Sequence, residues 1–361
     1  MLGLMFVGLG LVACQKKPDT LQEDPRSSSS FSSSFAQDSK LYVESQVYSL
    51  SGPTMGTSYN IKLVLPSSRA KELESLSLKV ETLLAEVNEQ MSTYQNTSEL
   101  SLYNASTPED WFVISEALYT VISTAQSLSV ASQGAFDITV GPLVNLWGFG
   151  PSPHLDKVPS ESELAEAFSR TGYEKLSLDN KNKSLRKDSD LYLDLSSIAK
   201  GYGVDKVLEL LSSNDIESAL VEVGGEIRAM GVKPNGSAWK VAIESPLSNT
   251  RAIQKVITIR DMALATSGDY RNYFEKEGVR YSHTINPKTG KPITHKLASV
   301  TVLYKSCMMA DGLATMFMVM GPESALQYAN ENKLAIFMLV KSESGFVELS
   351  SLPFTQLFSN E

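Results

Sequence analysis

Apolar residues recur along the chain with two periods, and these predict its elements. Ala70, Leu73, Leu76, Val80, Leu83, Leu84, Val87 and Met91 are spaced three and four apart, which places them on one face of a helix. Ile114, Ala117, Leu118, Val121, Ile122, Ala125 and Leu128 repeat the pattern. Ser160 followed by Glu163 is a capping box that opens a third helix over 160–171. Further helices are expected at 197–211, 308–319 and 322–330. Short runs rich in β-branched and aliphatic residues predict strands at 41–50, 59–65, 191–195, 219–223, 240–244, 256–259, 299–304 and 335–340. The first two would be joined through the GPTMGT segment, 52–57. Strands and helices mix without strict alternation, internal repeat or linker-like break after residue 42. The pattern therefore predicts a single large α+β domain over 42–361.

The N-terminal segment behaves differently. Residues 1–14, MLGLMFVGLGLVAC, are apolar and uncharged, but shorter than the ~20 residues of a membrane span. They match the hydrophobic region of a secretory signal. The end of the run, Leu11-Val12-Ala13-Cys14, resembles a bacterial lipobox, which makes 1–13 a signal peptide and Cys14 the expected lipidation site. Residues 14–41, with SSSSFSSSF at their centre, lack apolar periodicity and are expected to form a flexible tether. A random coil of that length spans roughly 25–30 Å. The expected location is a bacterial membrane, the inner one, with the body facing the periplasm. Cys307 is the other cysteine, so acylation of Cys14 would leave no intramolecular disulfide.

Charge and composition narrow the chemistry. The 361 residues carry 32 Lys and Arg against 41 Asp and Glu, a net charge of −9 that offers no broad positive field for nucleic acid. Three histidines, His154, His283 and His295, are scattered, so borderline metals such as zinc have no ligand cluster. No G-x-S-x-G elbow or Walker A loop is present. Gly201-Tyr202-Gly203 begins a dinucleotide fingerprint, but Lys206 stands at the third glycine.

Four polar segments at junctions between elements remain: GAFDIT (134–139), LDLSSIAKGYGVDKV (193–207), SHTINPKTGKPI (282–293) and ADGLAT (310–315). Ser196 and Ser197 stand where a helix N-cap is expected, and an N-terminus there would offer backbone N–H groups to an anion. Lys200 in the first turn opposes the helix dipole, which an anionic ligand would explain; the alternative is an exposed lysine at a helix start. Asp311 and Thr315 are four apart, hence on one helical face, and both are hard oxygen donors suited to Mg²⁺. The alternative is that Asp311 caps its own helix. His283 lies in a Pro- and Gly-punctuated loop, either as a general base or as an ordinary hydrogen-bonding group.

Taken in order, Met55-Gly56-Thr57, MSTY at 91–94, GAFDIT, DLSSIAKGYGVD, VEVGGEI at 221–227, ATSGDYRNY at 265–273, HTINPKTG and ADGLAT resemble the ApbE family of FAD:protein FMN transferases over about residues 48–345. The resemblance implies Mg²⁺-dependent transfer of FMN from FAD to a Thr or Ser hydroxyl of an acceptor protein, with release of AMP. It implies acceptors among subunits of membrane redox pumps of the Na⁺-translocating quinone reductase or Rnf type. Carried over by motif, FAD would contact Met55, Tyr94, Ala135, Phe136, Asp137, Ser196, Tyr202 and Ile285. The metal would be held by the Ala199 carbonyl, Asp311 and Thr315. His283 would be the base, with Lys200 near the phosphates. Asn286 stands where many members carry Asp, and Gly312 where Ala is common. FAD hydrolysis to FMN and AMP, and a non-catalytic flavin-binding lipoprotein, are the alternative readings.

Overall fold

In the second strand, TSYNIKLVLP, Tyr59, Ile61, Leu63 and Leu65 alternate with polar residues and are buried, so one face of the first hairpin turns inward. A computed structural model describes residues 44–151, 158–246, 252–270 and 272–359. The expected signal, the tether, Cys14 and His154 lie outside the described residues. Strands β1 (Ser45–Thr54) and β2 (Thr57–Pro66) pair through Thr54 and Thr57, so the expected six-residue connection shrinks to Met55-Gly56. Both turn residues have positive φ, 47° and 70°, the geometry whose twist matches a two-residue hairpin.

The chain then forms α1 (Leu73–Met91), α2 (Glu99–Asn104), β3 (Phe112–Val113), α3 (Glu116–Ala131), α4 (Gly141–Leu146) and α5 (Glu161–Ser169). The capping box at Ser160 is present, with Glu163 Oε2 accepting from the Ser160 N–H at 2.8 Å. Next come β4 (Leu176–Asp179), β5 (Ser184–Lys187), α6 (Ala199–Ser213), β6 (Ala219–Val223), β7 (Glu226–Met230), β8 (Trp239–Glu244) and β9 (Ile253–Ile259). The hairpin β11 (Tyr273–Lys276) and β12 (Val279–Ser282) and the short pair β13 (Ile285–Asn286) and β14 (Lys291–Pro292) follow β10 (Ala263–Gly268). The chain ends with β15 (Leu297–Tyr304), α7 (Cys307–Met320), α8 (Pro322–Glu331), β16 (Ala335–Ser342), β17 (Gly345–Ser350) and α9 (Leu352–Phe358). No described helix is long and apolar enough to cross a membrane.

Eight strands form one antiparallel sheet in the order β1-β2-β6-β7-β10-β15-β16-β17. Helices α1, α6 and α7 cover one face and share its core with α3. The β8–β9 hairpin and α9 cover the other, around Trp239, Ile257, Phe337 and Phe354. Coverage on both sides explains why β15 and the first half of β16 are buried almost without a break, Ser299 and Thr301 included. A third cluster joins α4 and α5 to the β11–β12 hairpin through Leu143, Trp147, Leu164 and Phe274. The α+β architecture expected from the sequence is the one observed.

One expected strand is absent. Residues 191–195 alternate as a strand does, with Leu191, Leu193 and Leu195 fully buried, yet among the described residues no strand pairs with them. Their backbone is satisfied elsewhere. The Asn104 amide both donates to the Leu193 carbonyl at 2.9 Å and accepts from its N–H at 2.8 Å, and the Asp194 N–H reaches the Ile138 carbonyl.

Helices α6 and α7 hold each other's ends. Asp205 of α6 accepts from the N–H groups of Cys307 and Met308, at 2.9 and 3.0 Å, and from the Ser306 hydroxyl at 2.7 Å. Asp311 of α7 accepts from the Gly201 N–H at 3.0 Å. Each carboxylate thus sits at the positive end of the other helix, where it satisfies donors that have no partner within their own helix. The crossing requires Gly201: a Cβ there would overlap the Cys307 carbonyl and stand 2.8 Å from Asp311 Cβ. Gly201→Ala is expected to push the helices apart at a cost of about 1–3 kcal/mol. Thermal unfolding should show Tm lowered by about 2–5 °C; an unchanged Tm would contradict this packing.

Candidate active site

A cavity of about 360 Å³ opens where four junctions meet: the loop after α3, the entry to α6, the end of β10 with the loop beyond it, and the loop after β12. Helix α7 supplies part of its wall. Tyr94, Ala135, Phe136, Asp137, Ser196, Lys200, His283, Ile285, Asp311 and Thr315 all line it. Met55, Ala199 and Tyr202 do not. Met55 sits at the β1–β2 turn and packs against α6 at Gly203, while Ala199 and Tyr202 are buried within α6.

The entry to α6 differs from the sequence expectation in three respects. The N-cap position is Ile198, with no side-chain cap, rather than Ser196 or Ser197. Asp194 instead accepts from the Ser196 N–H at 2.8 Å. Two of the helix-start donors are also taken, because the N–H of Ala199 reaches the Leu195 carbonyl and that of Gly201 reaches Asp311. Asp311 does not cap its own helix either; Ser306 does, accepting from the Met309 N–H. What α6 presents to the cavity is therefore Lys200 and the two serine side chains.

Lys200 faces two buried carboxylates. Its ammonium is 3.2 Å from Glu226 Oε1 and 3.7 Å from Asp311 Oδ1, and it donates to the Ser196 carbonyl at 3.4 Å. Burial by itself disfavours the ammonium, but Asp311 and Glu226 outweigh it and hold Lys200 above its ordinary pKa. One ammonium cannot neutralise both acids. Burial pushes the Glu226 carboxyl up to about 8 despite Lys200, and burial also raises Asp311, against the opposing pull of Lys200 and the Gly201 N–H. Thr315 stands one turn further along α7. A buried acid that shares a single ammonium with a second acid, with a hydroxyl on the same helical face, is a hard-oxygen donor set that fits a divalent cation.

His283 leaves β12 half-buried, with Phe149 edge-on at 6.3 Å. Its Nδ1 lies 3.0 Å from the Asn272 carbonyl, which also accepts the His283 backbone N–H at 3.1 Å. A carbonyl only accepts, so Nδ1 carries the proton and Nε2 keeps the lone pair. Burial lowers the His283 pKa, with the Asn272 bond opposing. The imidazole is therefore a neutral acceptor near neutral pH. Asp137 serves the local backbone, accepting from the N–H and hydroxyl of Thr139 and from the Tyr173 N–H. Asn286 accepts from the Lys288 N–H at 2.9 Å and so shapes the turn after His283.

The ApbE family model matches residues 55–338, most of the described chain. The chain belongs to the ApbE family. It is 50% identical over 311 residues to the FAD:protein FMN transferase of Vibrio cholerae, covering 86% of this chain and 92% of that protein. It is 35% identical over 361 residues to the FAD:protein FMN transferase of Escherichia coli, covering 99% and 97%. Among solved structures, it resembles the flavin transferase ApbE from Vibrio cholerae with a TM-score of 0.80 and 47% identity, over 87% of this chain and 99% of that one. The apo flavinyl transferase of Pseudomonas stutzeri gives a TM-score of 0.81 and 42% identity, over 88% and 98%.

Several residues of this ApbE-type site carry no role in the sequence reading. Glu226, Asn272 and Asp194 are the main ones. The signal for Glu226 was its position: it follows the tight turn at Gly224-Gly225, opposite Val223, where the strand pattern turns residues inward. An inward-facing carboxylate there demands a partner. Asn272 acts through its backbone carbonyl, which no side-chain motif reveals.

Proposed function

We propose that the protein transfers FMN from FAD to a Thr or Ser hydroxyl of an acceptor protein, in a Mg²⁺-dependent reaction that releases AMP. The observation that carries this reading is the convergence, on one cavity, of His283, whose Nε2 lone pair has no hydrogen-bond partner among the described residues, and of the Asp311/Thr315 pair. The acceptor hydroxyl oxygen attacks the phosphorus of the FMN half of FAD while His283 Nε2 takes its proton. The pyrophosphate P–O bond breaks, and AMP departs with the bonding electron pair. Lys200 adds positive charge beside the phosphates, where positioning and charge neutralisation do most of the work in such transfers. Mg²⁺ held by Asp311, Thr315 and the Ala199 carbonyl would supply the remaining charge neutralisation. Tyr94, Ala135, Phe136, Asp137, Ser196 and Ile285 surround the flavin nucleotide in this reading, with Met55 and Tyr202 backing the α6 wall.

The acceptors proposed are subunits of membrane redox pumps of the Na⁺-translocating quinone reductase or Rnf type. The test is incubation of the protein with FAD, Mg²⁺ and such a subunit, followed by mass spectrometry of the acceptor. A mass increase of one FMN supports transfer; free FMN and AMP with an unmodified acceptor would replace it by hydrolysis. We further propose that the protein is a lipoprotein anchored at Cys14 on the periplasmic side of the inner membrane. Cys14→Ala is expected to move it from the membrane fraction to the soluble one, because acyl chains supply ~0.8 kcal/mol of anchoring per buried CH₂. Persistence in membranes after a high-salt wash would contradict the anchor.

A further inference from the structure

The α6–α7 crossing places one flexible cation between two buried acids, and its two contacts are unequal. Lys200 Nζ is 3.2 Å from Glu226 Oε1, within hydrogen-bond distance, but 3.7 Å from Asp311 Oδ1. The looser contact is the one to the acid that the metal reading assigns as ligand. The other Asp311 oxygen is fixed by the Gly201 N–H at 3.0 Å, so the carboxylate is not free to turn from the cavity. Glu226 Oε2 is buried and has no hydrogen-bond partner among the described residues. A buried acceptor left empty is costly, and an ammonium with three donors beside it is the natural group to fill it.

We propose that Lys200 is an exchangeable internal counter-cation: without metal its ammonium is shared between Asp311 and Glu226, and a divalent cation arriving at Asp311 displaces it wholly onto Glu226. The proposal rests on the metal reading of Asp311 and Thr315 given above. The four-carbon stem allows the ammonium to move without moving α6. The stem runs beside the β6–β7 turn that leads into Glu226, where a Cβ at Gly224 would stand 3.2 Å from Lys200 Cδ. Glu226 is thus a positioning residue that receives the displaced charge. Lys200 opposes the metal and Glu226 assists it, so neutralising each one should change metal affinity in opposite directions. A lysine that only binds phosphate would leave metal affinity unchanged in the absence of FAD.

The test is Mn²⁺ binding to the full-length, FAD-free protein, with free Mn²⁺ read by electron paramagnetic resonance. Lys200→Met should bind Mn²⁺ about tenfold more tightly or better, because a unit charge some 4 Å from the ligand is removed. Lys200→Gln, which keeps a donor for Glu226 without the charge, should shift in the same direction and decides the matter if the Met variant misfolds by circular dichroism. Lys200→Arg should stay near wild type. Glu226→Gln should weaken binding several-fold, since the displaced ammonium then has no acid beside it that can ionise to receive its charge. Equal affinity of wild type and the neutral Lys200 variants overturns the proposal, as does a shift of the Lys200 and Glu226 variants in one direction. Asp311→Asn separates the two readings. If it leaves Mn²⁺ binding intact, the metal reading fails and takes the proposal with it; if it abolishes binding while Lys200→Met matches wild type, the proposal alone fails.

Discussion

Asp311→Asn is expected to lower metal-dependent flavin transfer by about 10²–10⁴-fold, the several kcal/mol that a metal's charge supplies to a phosphoryl-type transfer. The substitution is nearly isosteric and keeps a side-chain oxygen for the Gly201 N–H, so the α6–α7 crossing should survive. What disappears is the charge that would attract the proposed cation, and the acidic partner of Lys200 at 3.7 Å. Asp311→Ala is a harsher variant, because it also strands the buried Gly201 N–H at about 1–3 kcal/mol and so mixes stability with chemistry. Thr315→Ala removes a neutral donor and should cost less, about tenfold. The measurement is the transfer rate against Mg²⁺ concentration. Asp311→Asn should regain part of its rate at high Mg²⁺, the mark of a weakened site rather than a lost fold. A wild-type rate at ordinary Mg²⁺ would remove Asp311 from the metal site.

Local periodicity made much of this fold legible in the sequence. The α1 and α3 faces, the capping box at Ser160 and the strand Ala219–Val223 follow from spacing alone, because each is stabilised mainly by its own amphipathic pattern. Residues 191–195 show where that logic stops. Their Leu-x-Leu-x-Leu pattern is that of any extended segment with one buried side, and Asn104, far away in sequence, takes the hydrogen bonds a neighbouring strand would have made. The α6 entry misled for the same reason. Ser196 and Ser197 are good N-cap residue types, but the donors of that helix end are satisfied by Leu195 and by a carboxylate 110 positions later. In the candidate site, the i, i+4 pairing of Asp311 and Thr315 needed only helix geometry. Which groups neutralise Asp311 depended on a sheet turn at Gly224-Gly225 that carries Glu226 to Lys200.

His283→Ala is expected to reduce single-turnover flavin transfer by about 10²–10⁴-fold, the contribution of a positioned general base, with FAD affinity retained. Retention follows from the placement of the histidine, whose ring is held from behind by the Asn272 carbonyl and is one of many residues around the cavity. The pH dependence follows from the sign of its shift. Burial lowers the His283 pKa from its ordinary value of about 6.5, so the neutral base predominates at pH 7. Transfer by the wild type should therefore fall off on the acid side of the ordinary histidine range and change little above neutrality. An unperturbed histidine would still be gaining rate through pH 7. His295 is the control within the described residues. Burial lowers its pKa as well, but it packs against Gly321 and does not line the cavity, so His295→Ala should transfer FMN with the wild-type pH profile. His283→Ala should lose the acid limb of the profile along with the rate. Transfer by His283→Ala at the wild-type rate, or an acid limb that persists without the imidazole, would assign the proton to another group.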